Sequence, residues 1–519
     1  MSSTLPEAKC LPIPKNNTAS DASQDPNCDS IITIDNPLTA NASEEHDKTN
    51  TTSPDTPYSI LTARKKAIIV VIISLSSFVS AFSANIYYPA LKVIQNDLNI
   101  TERMVYLTVT VYMIFQGLSP SFWGSLADSW GRRPVYIMTF LIYIFACIGL
   151  ACTKNYVTLL ILRMLQAFGS SSAIAVGAGI IGDIATPMER GGYMGLFSMG
   201  TMLGPLLGPV LGGIVSYRLG WRWIFWVLSM LVTPLWFAIV LFLPETLRAL
   251  VGDGSGYANP TPLQYWRRER KIASKQLEDI EKPPRSRFLV LPNPFQSWVY
   301  LKERVVLIIL LYNSLQYAGL YCVITSVTDL FSNAYGINEV QVGLCFLSNG
   351  VGASLGSYTS GRILDWRFKT IAKSLGIDEK NANSNIPEDF PIKEARMGIT
   401  WIWGIAFNVA MIAYGWSLFY KIHIAVPIIL NFILSFTATS TFNATNTLLI
   451  DLFPNNSAAI IGSNNLTRCL LGAGAVLTVQ PGVHLMGIGW FFTAMSLFLL
   501  ITRVTMAFLC FRPVSSKKV

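Results

Sequence analysis

The sequence predicts an all-α, polytopic membrane protein with twelve transmembrane helices in two pseudo-symmetric six-helix bundles. Three observations predict it. Of 519 residues, 13% are charged and 51% hydrophobic, whereas soluble domains carry roughly 25% charged residues. Mean hydropathy is accordingly positive, at +0.44. Apolar runs long enough to cross about 30 Å of hydrocarbon recur along the chain. Lys and Arg also fall unevenly between the connections, 27 on the side assigned to the cytosol and six on the other. Cytosolic loops carry such an excess, so both termini are expected in the cytosol, although the loops 244–304 and 361–396 supply 18 of the 27. The net charge of +9 therefore reflects topology and implies no nucleic-acid partner.

Taken in order, residues 1–66 are rich in Ser, Thr, Asn, Asp and Pro, which predicts a disordered cytosolic tail. The first thirty residues hold no apolar core of a signal peptide, so the first span directs insertion. Spans at 67–90, 104–126, 134–152, 156–183, 192–216 and 222–243 form an N-terminal bundle, 67–243. A polar connection, 244–304, follows on the cytosolic side. Spans at 305–329, 339–360, 397–418, 423–450, 458–481 and 484–510 form a C-terminal bundle, 305–511, before a short cytosolic tail, 512–519. Of the eight cysteines, Cys10 and Cys28 lie in the tail and six in spans. That usage is packing, not a disulfide framework. The sequon at Asn99 falls in the first outer loop and is a candidate for glycosylation.

The fifth span contains "GTMLGPLLGPVLGG", in which Gly200, Gly204, Gly208 and Gly212 recur every fourth residue, joined by Pro205, Pro209 and Gly213. Such spacing lines one helix face. In lipid, small residues bring helices together because they let backbones approach, and prolines are tolerated where neighbours re-satisfy the backbone. The eighth span carries Ser348, Gly352, Gly356 and Ser360 at the same spacing. These two faces are expected to meet at the seam between halves. The halves also echo one another. Gly124 and Asp128 stand four apart near the end of span two, as do Gly361 and Asp365 near the end of span eight. Asp183 and Asp451, at the ends of spans four and ten, are each soon followed by Pro. Many transporters are built from such repeats.

"GSLADSWGRRP", "RMLQAFGSSSA" and "GPLLGPVLGG" resemble, in order, the motifs of spans two–three, four and five in the drug:proton exporters of the major facilitator superfamily. "FSANIYYPAL", "LPETLR", "FNATNTLLIDLFP" and "NNLTRCLLGAGA" further resemble its fungal twelve-helix exporters of the quinidine-resistance and amino-acid or weak-acid type. Two positions depart from the pattern: Ser129 stands where a basic residue is usual and Ala167 where Gly is usual. The resemblance implies a monomeric plasma-membrane antiporter, with a vacuolar or other internal membrane as the alternative site. It would export drug-like or metabolic organic solutes (amphipathic compounds, organic cations, polyamines or weak acids) by alternating access. Its energy would come from the proton gradient, with no cofactor. A nutrient importer on the same fold, or a non-transporting sensor, is the competing expectation.

The resemblance also assigns residues. Gly124, Asp128, Gly131, Arg132 and Arg133 form the inner-gate motif, and Asp183 from span four is expected to latch onto it. Arg163 is implied in proton coupling, with Asp183 and Arg468 as further candidates. Arg163, Arg468 and Arg503 lie well inside spans, where a charge costs at least ~2.5 kcal/mol and faces a cavity or partner. Arg503, near the inner end of the last span, is expected to snorkel. No carboxylate lies deep in any span. Polar stripes then predict the cavity wall. They are Asn313, Tyr317, Tyr321 and Thr325 with Gln316 on span seven, and Asn431, Ser435, Thr439 and Asn443 on span ten, joined by Gln166 and Asn349. Its aromatic faces would attract organic cations. "GAGIIG" (177–182) matches a dinucleotide fingerprint but lacks the preceding strand that signature needs. No P-loop occurs, and the three histidines are scattered, so neither ATP hydrolysis nor a metal centre is expected.

Overall fold

Hydrocarbon offers no partner to a polar backbone, so each apolar run satisfies its own N–H and C=O groups as a helix. A computed structural model describes residues 60–185, 187–253, 256–273, 303–375, 391–452 and 457–511, and among them no strand occurs. The expected disorder of the N-terminal tail falls on residues 1–59, outside the described residues, as do Cys10, Cys28 and the tail 512–519. Span one is α1 (Ala63–Asn85), continued by a 3-10 turn (Tyr88–Ala90) and α2 (Leu91–Asp97). The next are α3 (Glu102–Trp130), α4 (Arg132–Ala151), the pair α5 (Tyr156–Ser170) and α6 (Ser172–Ile184), α7 (Pro187–Leu219) and α8 (Arg222–Phe242). In the central connection lie α9 (Arg248–Val251) and α10 (Pro262–Ala273). Then come α11 (Arg304–Tyr335), α12 (Glu339–Ser374), α13 (Ile392–Met397), α14 (Thr400–Phe419), α15 (Ala425–Leu452), α16 (Ser457–Met486) and α17 (Ile488–Phe511).

All twelve expected spans are helical. Among the described residues, nine helical segments, three of them joined from consecutive helices, are long and apolar enough to cross a membrane, and the apolar part of α17, Ile488–Val504, is shorter. The second and eighth spans, α3 and α12, are long but more polar, and they are the helices that build the seams. α1 begins inside the expected tail, and there Lys66 forms a 2.8 Å ion pair with Glu189 of α7.

The glycine faces pack tightly, but not against each other as expected. A Cβ at Gly200 would strike the carbonyl of Ser74, and one at Gly212 the carbonyl of Ile86. At Gly204 it would lie 2.6 Å from the Phe82 nitrogen, and at Gly208 3.0 Å from the Asn85 Cβ. The stripe of α7 therefore seats α1 of its own bundle, helped by a Ser77–Thr201 hydroxyl contact. The stripe of α12 likewise seats α15. A Cβ at Gly352 would lie 2.5 Å from the Phe432 carbonyl, and one at Gly356 equally near that of Phe436. Spacing fixed the direction of each face but not which neighbour occupied it.

α7 and α12 do meet across the halves, by other residues. A Cβ at Gly343 would lie 2.5 Å from the Pro209 carbonyl, and one at Gly350 2.5 Å from the Leu206 Cα. Gly213 rests on the backbone of Glu339. The repeat-related seam joins α3 to α16, where Gly117 would place a Cβ 2.8 Å from Cys469 Cβ and Asn465 donates to the Gln116 carbonyl.

Both described chain ends and the central connection lie at one end of the bundles, here the loop face. The opposite end carries short turns. From the middle to the short-turn face the halves are bonded: Thr328 donates to the Tyr88 carbonyl (3.0 Å) and Lys92 to Asn333 (2.7 Å). Toward the loop face they part. Gly124 continues the seam face of α3 two turns beyond Gly117, Gly195 that of α7, and Gly361 that of α12. A side chain at any of the three would meet no heavy atom within 4 Å. The molecule is open to the loop face.

Overpacking a close helix contact costs about 1–3 kcal/mol. Gly204→Leu is therefore expected to lower the thermal midpoint of the detergent-solubilised protein by several degrees, while Gly124→Leu leaves it within about one degree. Equal shifts in differential scanning fluorimetry would contradict the packing described.

Candidate functional site

At the loop face, Gly131 turns α3 into α4 at φ +112°. A Cβ there would collide with the Glu245 carboxylate, so glycine alone fits. The turn brings Arg132 between two acids. Its Nη1 lies 2.7 Å from Asp128, and its Nε donates to Asp183 at 3.1 Å. The expected trio is thus joined. Asp128 is largely exposed, while Arg132 and Asp183 are mostly buried, so the second pair is the stronger. Arg133 takes no part and instead donates to the carbonyls of Val240 (2.8 Å) and Asn259 (3.3 Å). Glu245, buried, accepts from the backbone N–H of Arg132 and from the Asn259 amide. The central connection is thereby fastened to the gate.

The C-terminal bundle repeats this device. Arg396 donates to Asp451 at 2.8 Å and lies 3.8 Å from Asp365. The two acids stand where repeat symmetry puts them, but the arginine was missed, because it comes from α13, 31 positions after Asp365.

In the middle of the molecule stand two arginines without acids. Arg163 is 1% exposed. Its guanidinium lies 4.0 Å from the ring centre of Tyr87 and 4.2 Å from that of Tyr112, and donates to Gln166 Oε1 at 2.7 Å. Arg468, half-buried, lies 4.3 Å from Tyr317 and 5.1 Å from Phe442 and donates to Asn465 at 2.6 Å. Each keeps a buried Nε without a hydrogen-bond partner. The Tyr317 and Tyr321 rings lie 4.3 Å apart, tilted at 35°. Asp183 belongs to the gate, so the three proton-coupling candidates do not form one site.

Much of the predicted cavity wall is instead glue between helices. Asn313 donates to Asn464 (2.8 Å), which donates to Asn446 (2.6 Å), tying α11, α16 and α15. Asn349 accepts from Ser435, and Asn443 donates to Ser357 and Ser360, both between α12 and α15. Gln166 is spent on Arg163 and on Cys147. Gln316 accepts from Arg503 at 2.6 Å. That overturns the snorkelling expected of Arg503: it is 3% exposed and packs over Gly404, where no side chain would fit. Asn431 is fully buried with neither amide atom bonded. Tyr317, Tyr321 and Thr439 remain partly exposed. Asn99 is exposed, at φ 50°, in the short-turn face. Among the described residues no cluster of metal-binding side chains occurs.

Two helical bundles, repeat-related charge clusters at one face and a polar centre within the membrane define a transporter. The chain belongs to the Major Facilitator Superfamily, whose family model matches residues 73–476. It is 40% identical over 435 residues to "Citrate exporter 1" of Aspergillus niger, covering 82% of each chain. It is 37% identical over 450 residues to "MFS-type transporter M6" of a Phoma species, covering 86% of this chain and 81% of that one. The xylose transporter XylE from E. coli, in a partially occluded inward-open conformation, superposes with a TM-score of 0.62 at 13% identity. That match covers 88% of this chain and all of that one. The protein is accordingly a multi-pass membrane protein that binds small molecules.

Double-mutant cycles on unfolding stability are expected to give about 1 kcal/mol or more of coupling for Arg132–Asp183 and for Arg396–Asp451. Arg396–Asp365, with its exposed acid, should give less than about 0.5 kcal/mol. Coupling confined to the N-terminal pair would show that the two clusters are not equivalent.

Proposed function

We propose that this protein exports carboxylate-bearing organic anions across the plasma membrane by alternating access, driven by the proton gradient. The observation that carries the proposal is the pair of guanidinium groups, Arg163 buried and Arg468 half-buried, one in each bundle and, among the described residues, neither paired with an acid. A lone cation in hydrocarbon costs at least ~2.5 kcal/mol, and ring faces and an amide offset part of that. An anionic cargo would supply the rest, and two such centres suit a solute with more than one carboxylate. The same field repels organic cations and polyamines, so among the solute classes the family resemblance implies, weak acids fit best. The name of the Aspergillus niger relative, a citrate exporter, supports this class.

Lys and Arg crowd the loop face, which supports placing it in the cytosol. The opening then faces the compartment from which an exporter loads. As the bundles rock, an anion held between Arg163 and Arg468 would be exposed first to the loop face and then to the short-turn face.

Purified protein in liposomes, given an imposed pH gradient, is expected to move labelled citrate or another di- or tricarboxylate. Unlabelled polycarboxylates should compete and tetraethylammonium or spermidine should not. Arg163→Gln and Arg468→Gln should each cut the rate by more than about tenfold, the loss of one charge-assisted contact. Equal transport of cations, or intact anion transport in both variants, would refute the reading.

A further inference from the structure

The short-turn face holds a second acidic group that the gate and the arginine centre do not use. Glu102 opens α3 in the N-terminal bundle, and Asp329 lies near the end of α11 in the C-terminal bundle. The two are linked across the seam through Tyr106 and Gln480, whose amide donates to the Tyr106 hydroxyl at 3.5 Å. Tyr106 donates its hydroxyl to Asp329, and the Gln480 amide of α16 donates to Glu102. Asp329 is 6% exposed. Two carboxylates held this close repel each other when both are ionised, and a proton on either removes the repulsion.

We propose that Glu102 and Asp329 form a proton-binding site whose occupancy holds the short-turn face shut. The site lies between the halves, so it exists only while they are closed there. The other charged or titratable groups facing it do not replace the proton. Lys92 of α2 is engaged with Ser332 and Asn333 at 3.1 and 2.7 Å. Arg103 is exposed. Tyr106 is the donor already named, and His484 of α16 is exposed, 3.8 Å from Glu102. A proton from solvent at the short-turn face binds a carboxyl oxygen as the bundles approach, and separation of the bundles returns it to the same solution, so the site gates closure without carrying a proton across the membrane. Acid on that side therefore favours the loop-open form. This adds a pH-sensitive gate to the alternating access proposed above and rests on it.

Hydrogen–deuterium exchange of the full-length protein, corrected for the intrinsic pH dependence of exchange, tests the site in segments 98–104 and 330–337. In the wild type, exchange there should fall as pH falls, by up to about tenfold per pH unit, the limit for one bound proton. Glu102→Gln and Asp329→Asn, each of which removes the repulsion, should be protected at every pH. Tyr106→Phe keeps both carboxyls but takes a donor from the ionised form, so its profile should keep its slope with a midpoint at higher pH. A wild type with no pH dependence, or Glu102→Gln and Asp329→Asn variants that follow the wild-type profile, would overturn the proposal. Counterflow of labelled citrate at equal pH on both sides separates the two readings. Failure of counterflow in the wild type removes the anion assignment, while the exchange profiles still judge the proton site.

Discussion

Because lipid chains are as apolar as leucine, nothing in the solvent presses these helices together, and contact depends on how closely their backbones can approach. Glycine is what allows that approach here. α1 sits on the glycines of α7, and α15 on those of α12, at distances that leave no room for a methyl group. Each bundle thus owes its internal packing to one smooth helix face. The seams use the same device, Gly213, Gly343 and Gly350 on one side and Gly117 on the other, but they are supported by hydrogen bonds toward one end only. Tight bundles whose seam is bonded toward one end are what a rocking mechanism requires.

Charge is distributed on the same plan. Acids and arginines pair at the loop face, once in each bundle, where water reaches at least one partner. At the short-turn face acids are linked across the seam through Tyr106 and Gln480. In the middle, arginines stand on ring faces with no acid at all. Under the function proposed above, a field that is positive at the centre and negative at the short-turn gate would distinguish solutes by sign before any contact distinguishes them by shape.

The spans were legible in the sequence because hydrophobic length is a property of a single segment. The repeat-related Asp365 and Asp451 were legible for a similar reason, since they keep their places relative to helix ends. What resists reading is the identity of a partner. Spacing four showed that Gly200 to Gly212 form a face, yet whether α1 or α12 would cover it depends on the whole bundle. Asn313, Asn349 and Asn443 carry the same periodicity whether they face a cavity or bond a neighbouring helix, and here they bond. Arg396 lay hidden in a loop, and superposing the two halves on the Asp–Arg–Asp set would have exposed it. Tyr87 and Tyr112 gave no signal of their own, because ring faces around an arginine come from helices far apart in sequence.

Arg503 has a bearing on how the molecule is made. It belongs to α17, which follows α11 and α14 in the chain, and its guanidinium is bonded to Gln316 of α11 and lodged over Gly404 of α14. An arginine at such depth opposes partitioning of an isolated helix into the bilayer by about 2.5–3.5 kcal/mol. The niche that accepts it is built from helices already synthesised. Insertion of α17 is thereby coupled to correct docking of its predecessors. A nascent chain with a misplaced α11 or α14 would present a reluctant helix to the machinery that decides between release and degradation.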